Sequence, residues 1–153
     1  MQVDVNFGES ICYVGLKDVS VLNAIQLNDG FIATKDVVSL SLAEGIAIVA
    51  VDYTTQSDPG QVIKAYDTNG TLLWCIGDVL PDLTGVYLGG QWITRDAART
   101  LPHGWTALSD GRRVENVLAE VEPSHVLYAC FDAGWRYVLD ATDKRLLFRT
   151  PTK

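Results

Sequence analysis

Three dipeptides that favour tight chain reversal, Asp29-Gly30, Asn69-Gly70 and Asp110-Gly111, recur 40 and 41 residues apart. Glycine reaches positive φ without a Cβ clash, and Asn or Asp tolerates that region better than most residues. Such pairs suit the two-residue type I′ turns of β-hairpins. A looser fourth turn falls at Thr142-Asp143-Lys144. Strand-like stretches flank each turn: VSVLNAIQL, VIKAYD, GWTAL and WRYVLD lead in, and FIATKDVV, TLLWCI, RRVENVL and RLLFRT lead out. A further strand precedes each pair, as ICYVGL, GIAIVAV, GVYLGG and HVLYACF. These stretches are rich in the β-branched and aromatic residues that suit a pleated surface. The pattern predicts a single all-β domain over residues 1–153, built from about four antiparallel hairpin-containing repeats.

The second and fourth units match each other best. AIVAVDY leads to AYDTNGTLLW as VLYACFD leads to VLDATDKRLLF, setting Asp52 against Asp132, Asp67 against Asp140 and Trp74 against Phe148. A repeat of about 40 residues with several strands per unit is the signature of a propeller blade. VIKAYDTNGTLLW and YVLDATDKRLLF resemble the inner hairpins of PQQ-like and WD40-like blades. That resemblance implies a small or partial β-propeller, including a half-propeller completed by dimerisation. A β-sandwich or open barrel of consecutive hairpins is the alternative. The Gly-His and Trp-Asp signatures of WD40 blades are absent, and neither a PQQ site nor any other cofactor is carried over.

Within the units, GIAIVAV is apolar without alternation, as a central strand covered on both faces would be. HVLYACF suggests one wetter face. Gly89-Gly90 precedes no helix and fits a bend or bulge. Helix is expected at TRDAAR, with Thr94 as N-cap, and Val117 to Val121 is ambiguous. Ser57-Asp58-Pro59-Gly60 and Leu80-Pro81-Asp82 read as loops. No shift of composition marks a domain boundary.

Apolar residues make up 48% of the chain, enough for a real core. No apolar run reaches the roughly 18 residues of a membrane helix. MQVDVNFGES has neither a basic start nor an apolar stretch, so no secretory signal is expected and the reading is cytoplasmic. Cys12, Cys75 and Cys130 are odd in number and form no CxxC pair, which favours buried free thiols over disulfides or zinc.

The net charge of −7 disfavours nucleic acid as a partner. Residues 1–90 carry eleven acids and three lysines, a balance of −8, whereas residues 91–153 hold all seven arginines and a balance of +1. An acidic face of this kind either confers solubility or steers a basic partner.

Catalytic signals are weak. His103 and His125 lack neighbours at metal-ligand spacing, so no metal is expected. Ser109 occupies a turn, and no G-x-S-x-G elbow or phosphate loop is present. The repeated Asp67 and Asp140 are better read as turn-forming than as paired catalytic carboxylates. Asn69-Gly70-Thr71 fits a glycosylation sequon, incidental without export. Trp74 and Phe148 read as core.

Three functional expectations follow, none with a catalytic residue assigned. The first is a non-catalytic protein-binding module, of the inhibitor or immunity-protein kind, that neutralises a basic partner through Asp18, Asp36, Asp58, Asp78 and Asp82. Trp92, Trp105 and Trp135, among nearby arginines, supply candidate hot spots. The second is a ligand-binding or hydrolytic β domain with a loop-lined pocket at His103, Asp132, Trp135 and Arg136. The third is a self-associating structural subunit or homodimer. No membrane partner is expected.

Overall fold

The computed structural model describes residues 2–4, 12–14, 24–26, 31–33, 37–51, 58–85, 87–101, 112–131 and 134–151. The chain divides into two compact units, Met1–Leu83 and Thr84–Lys153. The architecture is mostly β, with antiparallel sheets and few helices. No closed barrel or propeller ring is formed among the described residues.

The first unit contains β1 (Gln2–Asp4), β2 (Cys12–Val14), β3 (Ala24–Gln26), β4 (Phe31–Ala33), β5 (Val37–Ala43), β6 (Ile46–Val51), β7 (Ile63–Tyr66), β8 (Leu72–Cys75) and the short helix α1 (Ile76–Val79). β1, β3 and β4 make a small sheet in which β1 runs parallel to β3. The parallel pair departs from the wholly antiparallel expectation. β4 pairs antiparallel with β3, as the first hairpin requires, but Asp29-Gly30 itself lies outside the described residues. The larger sheet is antiparallel, in the order β2-β5-β6-β7-β8. Every residue of β6 is buried, as its unbroken apolar sequence predicts for a strand covered on both faces.

Two turns in this sheet revise the hairpin chemistry. Ala43 pairs with Ile46 across Glu44 (φ +56) and Gly45 (φ +70). Both central residues have positive φ, so the two-residue I′ turn lies here and not at Asn69-Gly70. At Asn69-Gly70 only the glycine has positive φ, at +85. The Gly70 amide donates to the Asp67 carbonyl at 3.1 Å, and the Asp67 amide donates to the Thr71 carbonyl at 3.0 Å. This is a reversal through Thr68-Asn69 followed by a left-handed glycine, a three-residue loop with a bulge. The register accordingly shifts between Ala65 and Tyr66.

The second unit contains β9 (Tyr87–Thr94), α2 (Arg95–Arg99), α3 (Val114–Ala119), β10 (His125–Phe131), β11 (Trp135–Asp140) and β12 (Arg145–Pro151). Its four strands form an antiparallel sheet in the order β12-β11-β10-β9. Thr94 caps α2 as expected, its hydroxyl accepting from the Ala97 amide at 3.0 Å. The register of β9 against β10 slips between Cys130 and Phe131, beside Gly89 at φ +149. The Gly89-Gly90 pair therefore marks a bulge. Gly90 is needed for approach as well: a Cβ there would lie 2.5 Å from the Tyr128 carbonyl oxygen.

The expected lead-out strand of the third hairpin is a helix. Asp110-Gly111 lies outside the described residues, and RRVENVL, expected as a strand, supplies α3. Val114, Val117, Leu118 and Val121 follow the i, i+3, i+4, i+7 spacing of one helical face. They bury against Val126, Val138, Leu147 and Phe148 of the sheet, with Ala98 of α2. That helical period outweighs the β propensity of the valines.

Candidate functional site

The acidic candidates of the first unit divide by position. Asp18 and Asp36 lie outside the described residues. Asp58, Asp78 and Asp82 are exposed. Asp58 caps a single 3-10 turn over Pro59–Gln61, its Oδ1 accepting from the Gly60 amide at 2.9 Å. Asp78 sits in α1 and accepts from the Cys75 amide at 2.9 Å through Oδ2. The two elements meet backbone to backbone, since a Cβ on Gly77 would stand 2.9 Å from the Gly60 Cα. This contact brings two acids that are distant in sequence to one edge of the sheet, around Cys75.

Cys75 is 7% exposed, and its thiol lies 3.6 Å from the Gln61 Oε1 that accepts from it. Burial pushes this thiol above its usual range. Lys64 opposes that rise, and the Asp78 and Asp58 carboxylates add to it. The cysteine is thus a protonated, inert centre, and the carboxylates around it are the outward chemistry. Burial likewise raises the neighbouring Tyr66 phenol, with Cys75 adding to it.

The repeated aspartates of the two units act as turn braces. Asp67 Oδ1 accepts from the amides of Asn69 and Thr71, both at 2.9 Å. Asp140 Oδ1 accepts from the Thr142 amide at 3.1 Å, the Thr142 hydroxyl at 2.7 Å and the Asp143 amide at 3.2 Å. The matching Asp52 and Asp132 lie outside the described residues. A cleft of about 370 Å³ opens beside the Asp140 turn, lined by Glu120, Glu122, Asp140, Thr142, Asp143 and Arg145. Most of its charges are committed locally: Asp143 pairs with Arg145 at 3.1 Å and Glu120 with Arg112 at 3.6 Å. Among the described residues, no group of three His, Cys, Asp or Glu side chains can hold a metal ion.

The aromatic and arginine candidates are dispersed. Trp92 is buried in β9 at 7% exposure, which removes it from a recognition surface. Trp105 and His103 lie outside the described residues. Trp135 and Arg136 are neighbours on β11, and neighbours on a strand project to opposite faces. Trp135 carries the Arg149 guanidinium 4.1 Å above its ring. Arg95 donates from Nη1 to the Val121 carbonyl at 2.6 Å, and Arg99 pairs with Asp96 at 3.0 Å. Arg136 is half-buried and forms no ion pair among the described residues.

Directly across the ladders from Arg136 stand Cys130 on β10 and Thr150 on β12. Tyr128 is two residues from Cys130 and shares its face. Burial raises the Tyr128 phenol, as does the neighbouring Cys130 thiol, while the Arg136 charge lowers it. Thr150 is fully buried, and its hydroxyl has no hydrogen-bond partner among the described residues. Sequence reasoning found Arg136 but missed Tyr128, Cys130 and Thr150. Strand alternation was the available signal, but it assigns a common face only once the register of three strands is known.

Comparison with family models, with curated proteins and with solved structures finds no match to this chain. No helix among the described residues is long and apolar enough to cross a membrane.

Proposed function

We propose that this protein is a non-catalytic binding module whose first unit presents a fixed acidic edge to a basic protein partner, in the manner of an inhibitor or immunity protein. The observation that carries this reading is the joining of Asp58 and Asp78 at one edge by the Gly60–Gly77 contact, with each carboxylate held by a backbone amide. A carboxylate fixed in advance loses little freedom on binding. The charge division supports the same reading. Residues 84–90 carry no charge, so the first unit holds the whole −8 and the second unit holds +1. A field of one sign accelerates encounter with a basic surface and loses that effect as salt screens it.

The blade-like reading belongs with this proposal. It is supported by two four-strand antiparallel meanders, β5 to β8 and β9 to β12, each with an aspartate bracing its last turn. Small propeller blades commonly present binding loops.

Crosslinked capture from the native host tests the function, with Asp58→Asn/Asp78→Asn run beside the unaltered protein. Asn retains the capping oxygen at position 58 while removing charge. A basic protein recovered by the unaltered chain and lost from the variant, with association slowing steeply between low and physiological salt, supports the proposal. Equal recovery by both chains rejects the acidic edge. Recovery of no basic protein rejects the function.

A further inference from the structure

We infer that this chain binds a second copy of itself edge to edge, with the acid-flanked strand β8 of one copy against the basic strand β12 of the next. Among the described residues, β8 ends the five-stranded sheet and β12 ends the four-stranded one. Strands that end a sheet invite pairing with another chain, and native proteins commonly guard them with charge or proline. β8 has neither guard: from Thr71 to Gly77 the chain holds no charged residue and no proline. Leu73 is the extra residue of a bulge against β7. The bulge limits continuation of the ladder, so side chains carry the contact.

The large apolar side chains left exposed among the described residues are Leu72 at 48%, Leu73 at 37% and Leu146 at 39%. Leu72 and Leu73 belong to β8, and Leu146 belongs to β12. A single exposed leucine needs no explanation, but their restriction to two edge strands does. The charges around them are complementary. Residues 65–94 carry Asp67, Asp78 and Asp82 and no lysine or arginine. Asp67 and Asp78 accept from the Thr71 and Cys75 amides, each at 2.9 Å, which fixes a carboxylate at either end of β8. Residues 144–153 carry Lys144, Arg145, Arg149 and Lys153 and no acid. The Arg145 side chain is 42% exposed even with its Asp143 pair, and Arg149 is exposed above Trp135. Leucines at the centre with opposite charges at the rim make up a specific interface. Each edge finds its complement on the chain itself, which selects a second copy as the occupant. Two different surfaces meet, so association runs head to tail.

The acidic edge is shared with the proposed function, but this inference does not rest on that reading. It is tested on the purified full chain, whereas the basic partner is sought in the host, so either can fail alone. Sedimentation velocity and light scattering are run across a wide range of protein concentration. Mean mass is expected to rise with concentration and to fall as salt screens the charges. Leu73→Lys sets a cation against the β12 bases, and Leu146→Glu sets an anion against the β8 acids. Each alone is expected to weaken association about tenfold. An equimolar mixture of the two variants is expected to restore it, because each keeps the edge that the other needs. Leu72→Lys stands in where Leu73→Lys disturbs the bulge, and unchanged circular dichroism separates a lost contact from a lost fold. The inference is overturned by a mass of one chain at every concentration, by association that salt does not weaken, by unaltered association in either variant, or by a mixture that stays monomeric.

Discussion

Gly77 shows how a single residue can reverse the sign of a general rule. It lies within α1, where replacing glycine by alanine ordinarily stabilises by about 1 kcal/mol. Here the added Cβ would stand 2.9 Å from the Gly60 Cα and 3.2 Å from the Gly60 carbonyl oxygen. Both are backbone atoms, so neither can rotate aside. Gly77→Ala is therefore expected to destabilise by roughly 1–3 kcal/mol, as overpacking does, and to separate Asp58 from Asp78. Urea unfolding measures the loss, and a stabilised variant would remove the basis of the acidic edge. Asp140 and Asp67 provide a second residue-scale contrast. Asp140 is 5% exposed and its Oδ1 serves three donors, while Asp67 is half-buried and serves two. Removing a buried acceptor strands its donors, so Asp140→Ala is expected to cost roughly 2–3 kcal/mol and Asp67→Ala about 1 kcal/mol. Equal losses in chemical denaturation would show that burial does not set the difference.

At the scale of elements, the two helices of the second unit test what holds its sheet covered. Leu118 is 0% exposed within the α3 contact, so Leu118→Ala is expected to cost about 2–5 kcal/mol. Thr94→Ala removes one cap bond at an exposed position and is expected to cost about 1 kcal/mol. Comparable losses for the two, measured by urea midpoint, would mean that α3 does not anchor the core. These helices also show what was legible beforehand. The α2 cap was visible because Thr94 is a local signal read within three residues. α3 was not, because Val114, Val117 and Val121 favour strands individually and only their spacing favours a helix. β6 was legible for the converse reason: an unbroken apolar run has few destinations other than a doubly covered strand. Turn position was the least legible feature. Glu44-Gly45 makes the I′ turn without an Asn or Asp, because strand pairing between Ala43 and Ile46 imposes positive φ on the glutamate. Of the candidate site, the charges could be counted from the sequence. Their grouping required the Gly60–Gly77 contact and the register of β10 to β12, neither of which is local.

At the scale of the molecule, burial shifts four acids among the described residues in one direction. Burial raises the Cys75 thiol and the Tyr66 phenol in the first unit, and the Tyr128 and Tyr137 phenols in the second. For Tyr137, hydrogen bonding and attraction from Arg149 offset part of the burial effect. Each of these acids is neutral when protonated, and folding favours the neutral form. As pH rises, the unfolded chain releases these protons first while the folded chain retains them. In that window the unfolded state binds fewer protons, so stability falls with pH. The contribution is present in full below the unfolded values, near pH 9.0 for the cysteine and 10.0 for the tyrosines, and is lost as pH climbs through the raised folded values. Urea midpoints measured at intervals from pH 7 to pH 11 are therefore expected to decline from about pH 9. Cys75→Ala combined with Tyr66→Phe removes two of the four groups and is expected to make the decline shallower, even though the alanine lowers stability at neutral pH. A decline of unchanged steepness in that variant would show that the alkaline loss comes from dispersed surface charge and not from these buried acids.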